Sequence, residues 1–272
     1  MRVGSGPRDR GQSLDTLVSL CGAGYAAWVP NPESDGRRFG EAAAAYERGR
    51  PEYPAEVVTW LLGDNADRVI DLGAGTGKLT RALLARAGRV IAVEPDAGMR
   101  AEFSRQLPGT SVLDGTAEDI PVRDGWADVV VAGQAWHWVD PRRAAPEVAR
   151  VLRPGGLLGL AWNDRDVADP WLDRLAEILV GFGISPDAMN DVVVGPPFGP
   201  SEVMEHRWTD HVSVSRVVDM IMSRSYVIAL PDEQRAELVQ QVTALAYEGA
   251  DAVTGLVPVR YRTQGYRYRA PA

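Results

Sequence analysis

An α/β fold built on a doubly wound, mostly parallel sheet of seven strands is predicted by three observations. Short apolar runs of strand length alternate with helix-length segments from Arg68 to Trp162. Each run is apolar almost throughout rather than at every second residue, which marks strands buried on both faces. A glycine-rich turn, Gly73-Ala74-Gly75-Thr76-Gly77, joins the first run to the next helix, as expected where a ligand meets the carboxyl edge of such a sheet.

The elements follow in order. Residues 1–38 are rich in Gly, Ser, Pro, Arg and Asp without periodicity and are expected to form a flexible extension. Within it, Leu14 to Val29 follows Arg2, Arg8 and Arg10 in the manner of an export signal, but Asp15 interrupts it and Gly22 and Gly24 dilute it. A helical pattern begins near Phe39, includes Ala42 to Tyr46 and breaks at Gly49-Arg50-Pro51. Pro54 opens a second helix to Leu62. Strands are predicted at Arg68–Leu72, Arg89–Glu94, Ser111–Leu113, Ala127–Ala132 and Gly156–Trp162. Between them lie helices over Thr76–Ala87, Asp96–Leu107 and Arg142–Leu152. Asp96 and Asp140 are expected helix caps, with Pro141 in the first turn. Pro146 should kink or break the third of these helices.

Beyond Asn163 the alternation loosens. Helices are expected over Trp171–Phe182, Val217–Ala229 and Asp232–Glu248, a loop over Asp187–Pro200, and strands over Glu202–Val214 and Val257–Arg269. Arg260, Arg262, Arg267 and Arg269 interleave with tyrosines in the last strand; we read them as one solvated face rather than a polynucleotide site.

Composition narrows the function. The 272 residues carry 29 Lys and Arg against 37 Asp and Glu, a net charge of -8, with no basic run. Nucleic acid is therefore not an expected partner. No apolar run reaches the roughly 18 residues of a membrane span, and no membrane association is expected. The single cysteine, Cys21, allows no internal disulfide; a cytoplasmic location is expected. No metal site is expected.

The chemistry is concentrated around Asp71-Leu72-Gly73-Ala74-Gly75-Thr76-Gly77. Gly73 permits a tight turn, while Gly75 and Gly77 should let a ligand approach the backbone. The dinucleotide fingerprint needs its third glycine three residues after the second, and that position is Lys78. Asp71, two residues before the turn, would repel a diphosphate but suits an ammonium group. Glu94 closes the second strand about 20 residues later, where a carboxylate accepts both ribose hydroxyls. Nucleoside binding is expected, and a nicotinamide-dependent reductase is the weaker alternative.

Four motifs in order resemble class I S-adenosylmethionine-dependent methyltransferases: Asp71 to Gly77, Val93 to Asp96 with Met99, Gly115 to Pro121, and Val151 to Gly156. The segment Gln134 to Asp140 is similar to one in trans-aconitate methyltransferase-like and UbiE-like small-molecule enzymes. The resemblance implies a Rossmann-like methyltransferase fold with a helical N-terminal lid and an antiparallel C-terminal strand. It divides residues 39–272 into a cofactor-binding core (39–163), a variable substrate-side region (164–256) and a final strand (257–272). It implies S-adenosylmethionine as cofactor, with Gly73, Gly75 and Gly77 along its methionine, Asp71 at its amino group and Glu94 on its ribose. Pro95 or Met99 would pack on adenine, Ala117 and Glu118 would meet the adenine edge, and Gly133 and Gln134 would line the methionine side.

The same resemblance extends to the acceptor. Tyr46, Arg50 and Tyr53 belong to the lid segment. Tyr46 is a candidate for stabilising the sulfonium, and Arg50 for holding a substrate carboxylate, with Tyr53 beside it. The alternative for the tyrosines is packing of the helices on the sheet. Trp136 and Trp138 would wall an apolar acceptor pocket, and His137 is a candidate general base; its alternative is a packed histidine that shapes the loop. The expected activity is methyl transfer to a small-molecule carboxylate, hydroxyl or amine. A non-catalytic S-adenosylmethionine-binding or partner protein is the alternative.

Overall fold

Why the chain forms a buried sheet is plain in the fourth strand, where Ala127 to Ala132 are all buried. Such a strand must be covered on both faces. The computed structural model describes residues 43, 46–64, 66–166, 169–184 and 192–272. The expected extension over residues 1–38, the start of the helix predicted from Phe39, and part of the predicted 187–200 loop lie outside the described residues.

The strands are β1 (Arg68–Leu72), β2 (Arg89–Val93), β3 (Val112–Leu113), β4 (Ala127–Gly133), β5 (Leu152–Arg165), β6 (Glu202–Val212) and β7 (Val257–Arg269). They form one sheet in the order β3-β2-β1-β4-β5-β7-β6. β1 to β5 pair in parallel, and β7 runs antiparallel between β5 and β6. Strand order reverses between β1 and β4. There neighbouring connections leave to opposite sides, which opens a crevice at the strands' carboxyl ends.

The helices are α1 (Ala55–Leu62), α2 (Lys78–Leu84), α3 (Ala97–Gln106), α4 (Pro141–Val151), α5 (Pro170–Gly181), α6 (Val214–Met222), α7 (Ser225–Ile228) and α8 (Asp232–Gly249). α1 and α2 cover one sheet face, packing Val57, Leu61 and Leu83 with Val69, Val129 and Val131. α4 covers the other, packing Ala144 and Val148 with Ile70, Val130 and Leu158. The alternation of Val129, Val130 and Val131 between these two cores is the period-two consequence of the pleat. A third cluster joins α5, α6 and α8 to β7 through Leu175, Ile221, Leu238 and Val259. That packing brings the C-terminal half back to the crevice.

Asp96 and Asp140 cap α3 and α4 as expected, accepting from the amides of Met99 and Arg142. Two expectations are corrected. Pro146 does not break α4, which is continuous from Pro141 to Val151. Pro146 lies on the solvent face, where water can serve the Arg142 carbonyl left without its amide partner. The helix predicted from Val217 to Ala229 starts at Val214, capped by Ser213, and stops at Met222 before the short α7. Most of the Val151 to Gly156 motif lies in β5, where the register shifts: Ala127 pairs with Leu152, whereas Val129 pairs with Leu157.

Candidate functional site: a crevice at the carboxyl edge of the sheet

The glycine turn leaves β1 with its amides already engaged. The Gly73 and Ala74 N–H groups donate to the Val93 carbonyl at 2.8 and 3.1 Å. Gly73 has φ of +67°, and a Cβ there would lie 2.6 Å from the Ala135 Cβ; no other residue fits. Gly75, at φ +56°, has nothing within 4 Å of the equivalent position and is open to the crevice. Gly77 carries a packing constraint as well. A Cβ there would meet Leu107 at 2.7 Å and Phe103 at 2.9 Å. Its lack of a side chain serves packing of α3 on the turn.

Two buried carboxylates flank this turn. Asp71 is 1% exposed. Its Oδ2 accepts from the Thr80 hydroxyl at 2.5 Å, while Oδ1 has no hydrogen-bond partner among the described residues. Burial pushes its carboxyl up to about 7. Glu94 is also buried. Its Oε2 accepts from the Gly75 N–H and its Oε1 from the Asp96 N–H, both at 2.9 Å. Burial raises its pKa, partly offset by these two bonds. A carboxylate offers about four acceptor positions, so two bonds fix the Glu94 head without saturating it.

The segment from Tyr46 to Tyr53 closes one side of the cavity above Gly75. Ion pairs hold it. Glu47 accepts from the Thr76 hydroxyl at 2.6 Å and pairs with Lys78 and Arg81. Glu52 pairs with Lys78 at 2.9 Å and Arg81 at 3.1 Å, and Arg48 reaches Asp219 of α6 at 2.8 Å. Within the segment, the Arg50 guanidinium lies 4.9 Å from the centre of the Tyr46 ring. The Arg50 Nε is buried without a hydrogen-bond partner among the described residues. The Tyr53 hydroxyl lies against Gly133, where a side chain would overlap it. Burial holds that phenol well above its usual pKa.

The opposite wall comes from distant parts of the chain. Gln134, with φ of +55°, and Asn163 close the ends of β4 and β5. Met220 of α6, Arg224 and Tyr261 of β7 complete it. The Tyr261 hydroxyl donates to the Met220 sulfur at 3.1 Å, and its ring stacks on Trp208 at 5.0 Å. Burial pushes the Tyr261 phenol up to about 12.

Comparison with known proteins agrees with this geometry. Residues 70–160 match the methyltransferase domain family. An uncharacterized methyltransferase of Mycobacterium tuberculosis is 48% identical over 208 residues, covering 76% of this chain and 84% of that protein. A methyltransferase-like protein of Schizosaccharomyces pombe is 30% identical over 222 residues, covering 78% and 87%. The chain belongs to the class I S-adenosylmethionine-dependent methyltransferases. A structure from Anaeromyxobacter dehalogenans, assigned as a type II methyltransferase, shares its fold at a TM-score of 0.58 and 24% identity, covering 82% of this chain and 97% of that one.

The methyltransferase assembles some of the sequence-predicted residues and separates others. Tyr46, Arg50, Tyr53, Asp71, Gly73, Gly75, Gly133 and Gln134 all line one cavity. Glu94 joins it through its bond to Gly75. Pro95, exposed, and half-buried Met99 lie beyond Glu94 at the start of α3. Ala117 is buried in the core. Glu118 accepts from the Asp140 N–H at 2.9 Å, tying its loop to the β4–α4 connection.

The Trp136-His137-Trp138 segment does not line the cavity. Trp136 is buried in the α4-side core and donates its indole N–H to the Val193 carbonyl at 2.9 Å. Trp138 is 64% exposed. The exposed His137 accepts at Nδ1 from the Trp162 indole at 3.4 Å and leans on the Trp138 ring. Sequence reasoning missed Asn163, Met220, Arg224 and Tyr261 as cavity residues. They carry no local motif: Asn163 arrives on β5, and Met220, Arg224 and Tyr261 come from the α6–α7 region and β7, which the packing of α5, α6 and α8 on β7 brings to the crevice.

Proposed function

We propose that this methyltransferase transfers the methyl group of S-adenosylmethionine to a small molecule held in the cavity above Gly75. One observation carries the reading: a single cavity runs from the glycine turn to a wall built by Met220, Arg224 and Tyr261. Donor and acceptor positions are therefore contiguous. The residues fit the donor. The buried Asp71 Oδ1 lacks a partner among the described residues, which suits the donor's ammonium group, and the space above Gly75 suits close approach of its methionine. Glu94 would take the ribose hydroxyls on its remaining acceptor positions. Pro95 and Met99 would flank adenine, and Ala117 and Glu118 its edge.

S-adenosylmethionine brings a methyl group already activated on a sulfonium, so the protein's work is alignment and exclusion of water. Tyr46 and Tyr53 would present ring and phenol to that positive charge. Gly133 and Gln134 would border the methionine. Tyr53 and Tyr261 are held protonated by burial, and His137 is not among the cavity residues. This favours an acceptor that needs no deprotonation, such as a carboxylate, positioned by Arg50 with Arg224 on the facing wall. The ion-paired Tyr46–Tyr53 segment on one side and α6 on the other favour a small acceptor, and the net charge of -8 disfavours a polynucleotide.

Two measurements test the reading. Calorimetry with S-adenosylhomocysteine should give micromolar or tighter binding. Methyl-labelled S-adenosylmethionine incubated with a panel of small carboxylic acids should give a labelled ester. Absence of binding overturns the donor site. Binding with transfer only to protein or nucleic acid overturns the small-molecule assignment.

A further inference from the structure

Asn163 sits where three separate segments of the chain meet. It is 8% exposed, at the end of β5 on the cavity wall. Its Nδ2 donates to the Glu52 carbonyl at 3.1 Å, immediately before Tyr53. Its Oδ1 accepts from the Thr263 hydroxyl at 2.6 Å, the residue opposite it on β7. Its own carbonyl accepts from the Gln134 Nε2 at 2.9 Å. The Thr263 oxygen in turn accepts from the Trp208 indole N–H at 2.8 Å, and Thr263 is fully buried.

The direction of this chain is fixed at both ends. An indole N–H can only donate, and a backbone carbonyl can only accept. The Thr263 hydroxyl must therefore point at Asn163, and the amide of Asn163 must turn its N–H toward Glu52. A side chain at this position has to accept on one side and donate on the other. An aspartate cannot donate and would set a carboxylate against the Glu52 carbonyl. An alanine supplies neither bond. A glutamine is longer by one methylene.

We propose that Asn163 is a positioning residue for methyl transfer: it ties the segment carrying Arg50 and Tyr53 to the sheet, in register with Gln134, so that the cavity is closed before ligand arrives. The proposal rests on the function given above for what the cavity holds, but not for how its wall is built. The Glu47, Glu52 and Arg48 ion pairs hold the outer side of the same segment. Asn163 holds its inner side, where the carbonyl of Glu52 and the ring of Tyr53 face the strand ends. Arg48, Arg81 and Glu52 in the outer pairs are exposed, so solvent screens them, whereas Asn163 and Thr263 of the inner link are buried.

The test compares Asn163→Asp, Thr263→Val and Thr263→Ser in the full chain. Hydrogen exchange without ligand should rise about tenfold across residues 46–53 in Asn163→Asp, with exchange in β5, β6 and β7 unchanged. Affinity for S-adenosylhomocysteine should weaken about tenfold in the same variant. Thr263→Val cuts the chain one link earlier and should give a smaller effect of the same pattern, which keeps the test available if the aspartate variant does not fold. Thr263→Ser retains the hydroxyl and should behave as wild type. Unchanged exchange over 46–53 in both disrupting variants overturns the proposal. So does an equal rise through β5 to β7, which would make Asn163 merely part of the sheet's support. If the wild-type protein binds no S-adenosylhomocysteine, the functional reading falls, while the exchange comparison still decides the role of Asn163.

Discussion

The two halves of the crevice are made by different means. The half around Gly73, Gly75, Asp71 and Glu94 is built from two adjacent strand ends, and its shape is set by backbone: positive φ at the glycines and amides donating to Val93 and Glu94. The half around Arg50, Asn163, Arg224 and Tyr261 gathers side chains from positions as distant as 50 and 261, positioned by the packing of α6 and β7 and by the Asn163 link. Backbone geometry tolerates almost no substitution. A side-chain wall can change residue by residue while the fold persists. On the proposed function, this contrast would let one scaffold keep a single donor and vary its acceptor.

The largest effect should fall on the backbone-built half. Gly75→Val sets its Cβ where no atom lies within 4 Å, on the cavity side of the turn and at the cost of strain at φ +56°. Loss of S-adenosylhomocysteine affinity by about a hundredfold or more is expected, with a cooperative melt retained. Calorimetry that finds wild-type affinity would place the ligand elsewhere.

Next comes Asp71→Asn, which carries a pH signature. The folded pKa of Asp71 is raised to about 7 from 3.8 by burial. Ligand binding through its ammonium group needs the ionised form, so wild-type affinity should fall as pH drops from 8 to 6, by up to about tenfold. Asp71→Asn should bind about tenfold more weakly at pH 8 and show a flat profile. Stability has the opposite sign. A raised folded pKa stabilises the protein below the unfolded pKa and loses that contribution as pH rises through about 7. The unliganded wild type should therefore melt lower, relative to Asp71→Asn, at pH 8 than at pH 6. Parallel melting curves across that range would contradict the burial of an ionisable carboxyl.

Within the side-chain half, a change at a wall residue outside the Asn163 link should spare the donor. Arg224→Gln is expected to reduce methyl transfer to a carboxylate acceptor about tenfold while leaving S-adenosylhomocysteine affinity within about twofold. Equal losses in both would merge the two halves into one site. The smallest effect is expected at His137→Ala: transfer within about twofold of wild type, because the imidazole lies off the cavity and bonds Trp162. A drop of about a hundredfold would restore His137 as a base.

Much of the fold was legible. Apolar strand runs, the caps at Asp96 and Asp140 and the glycine turn are local signals, and each element they predicted is present within a few residues. The errors have local causes too. Pro146 reads as a helix breaker because sequence does not reveal that its face is solvated. That Gly77 is also needed for packing against Phe103 was not legible, because a glycine needed for packing and one needed for a ligand look alike. The paired tryptophans read as a pocket wall because they follow a strand end, yet Trp136 turns into the opposite core and Trp138 into solvent.

By itself the sequence determined the order of strands and helices, the chemistry of the turn after β1, and the carboxylate that closes β2. These depend on residues close together in the chain, where steric limits on the backbone and hydrogen-bond capacity act directly. Only the tertiary structure decided which side chains form the far wall of the cavity. That depends on how α5, α6 and α8 seat on an antiparallel β7, and on a hydrogen-bond chain from Trp208 through Thr263 and Asn163 to Glu52. Contacts of that kind join positions 55 to 111 residues apart, and their energy exists only once the sheet has formed.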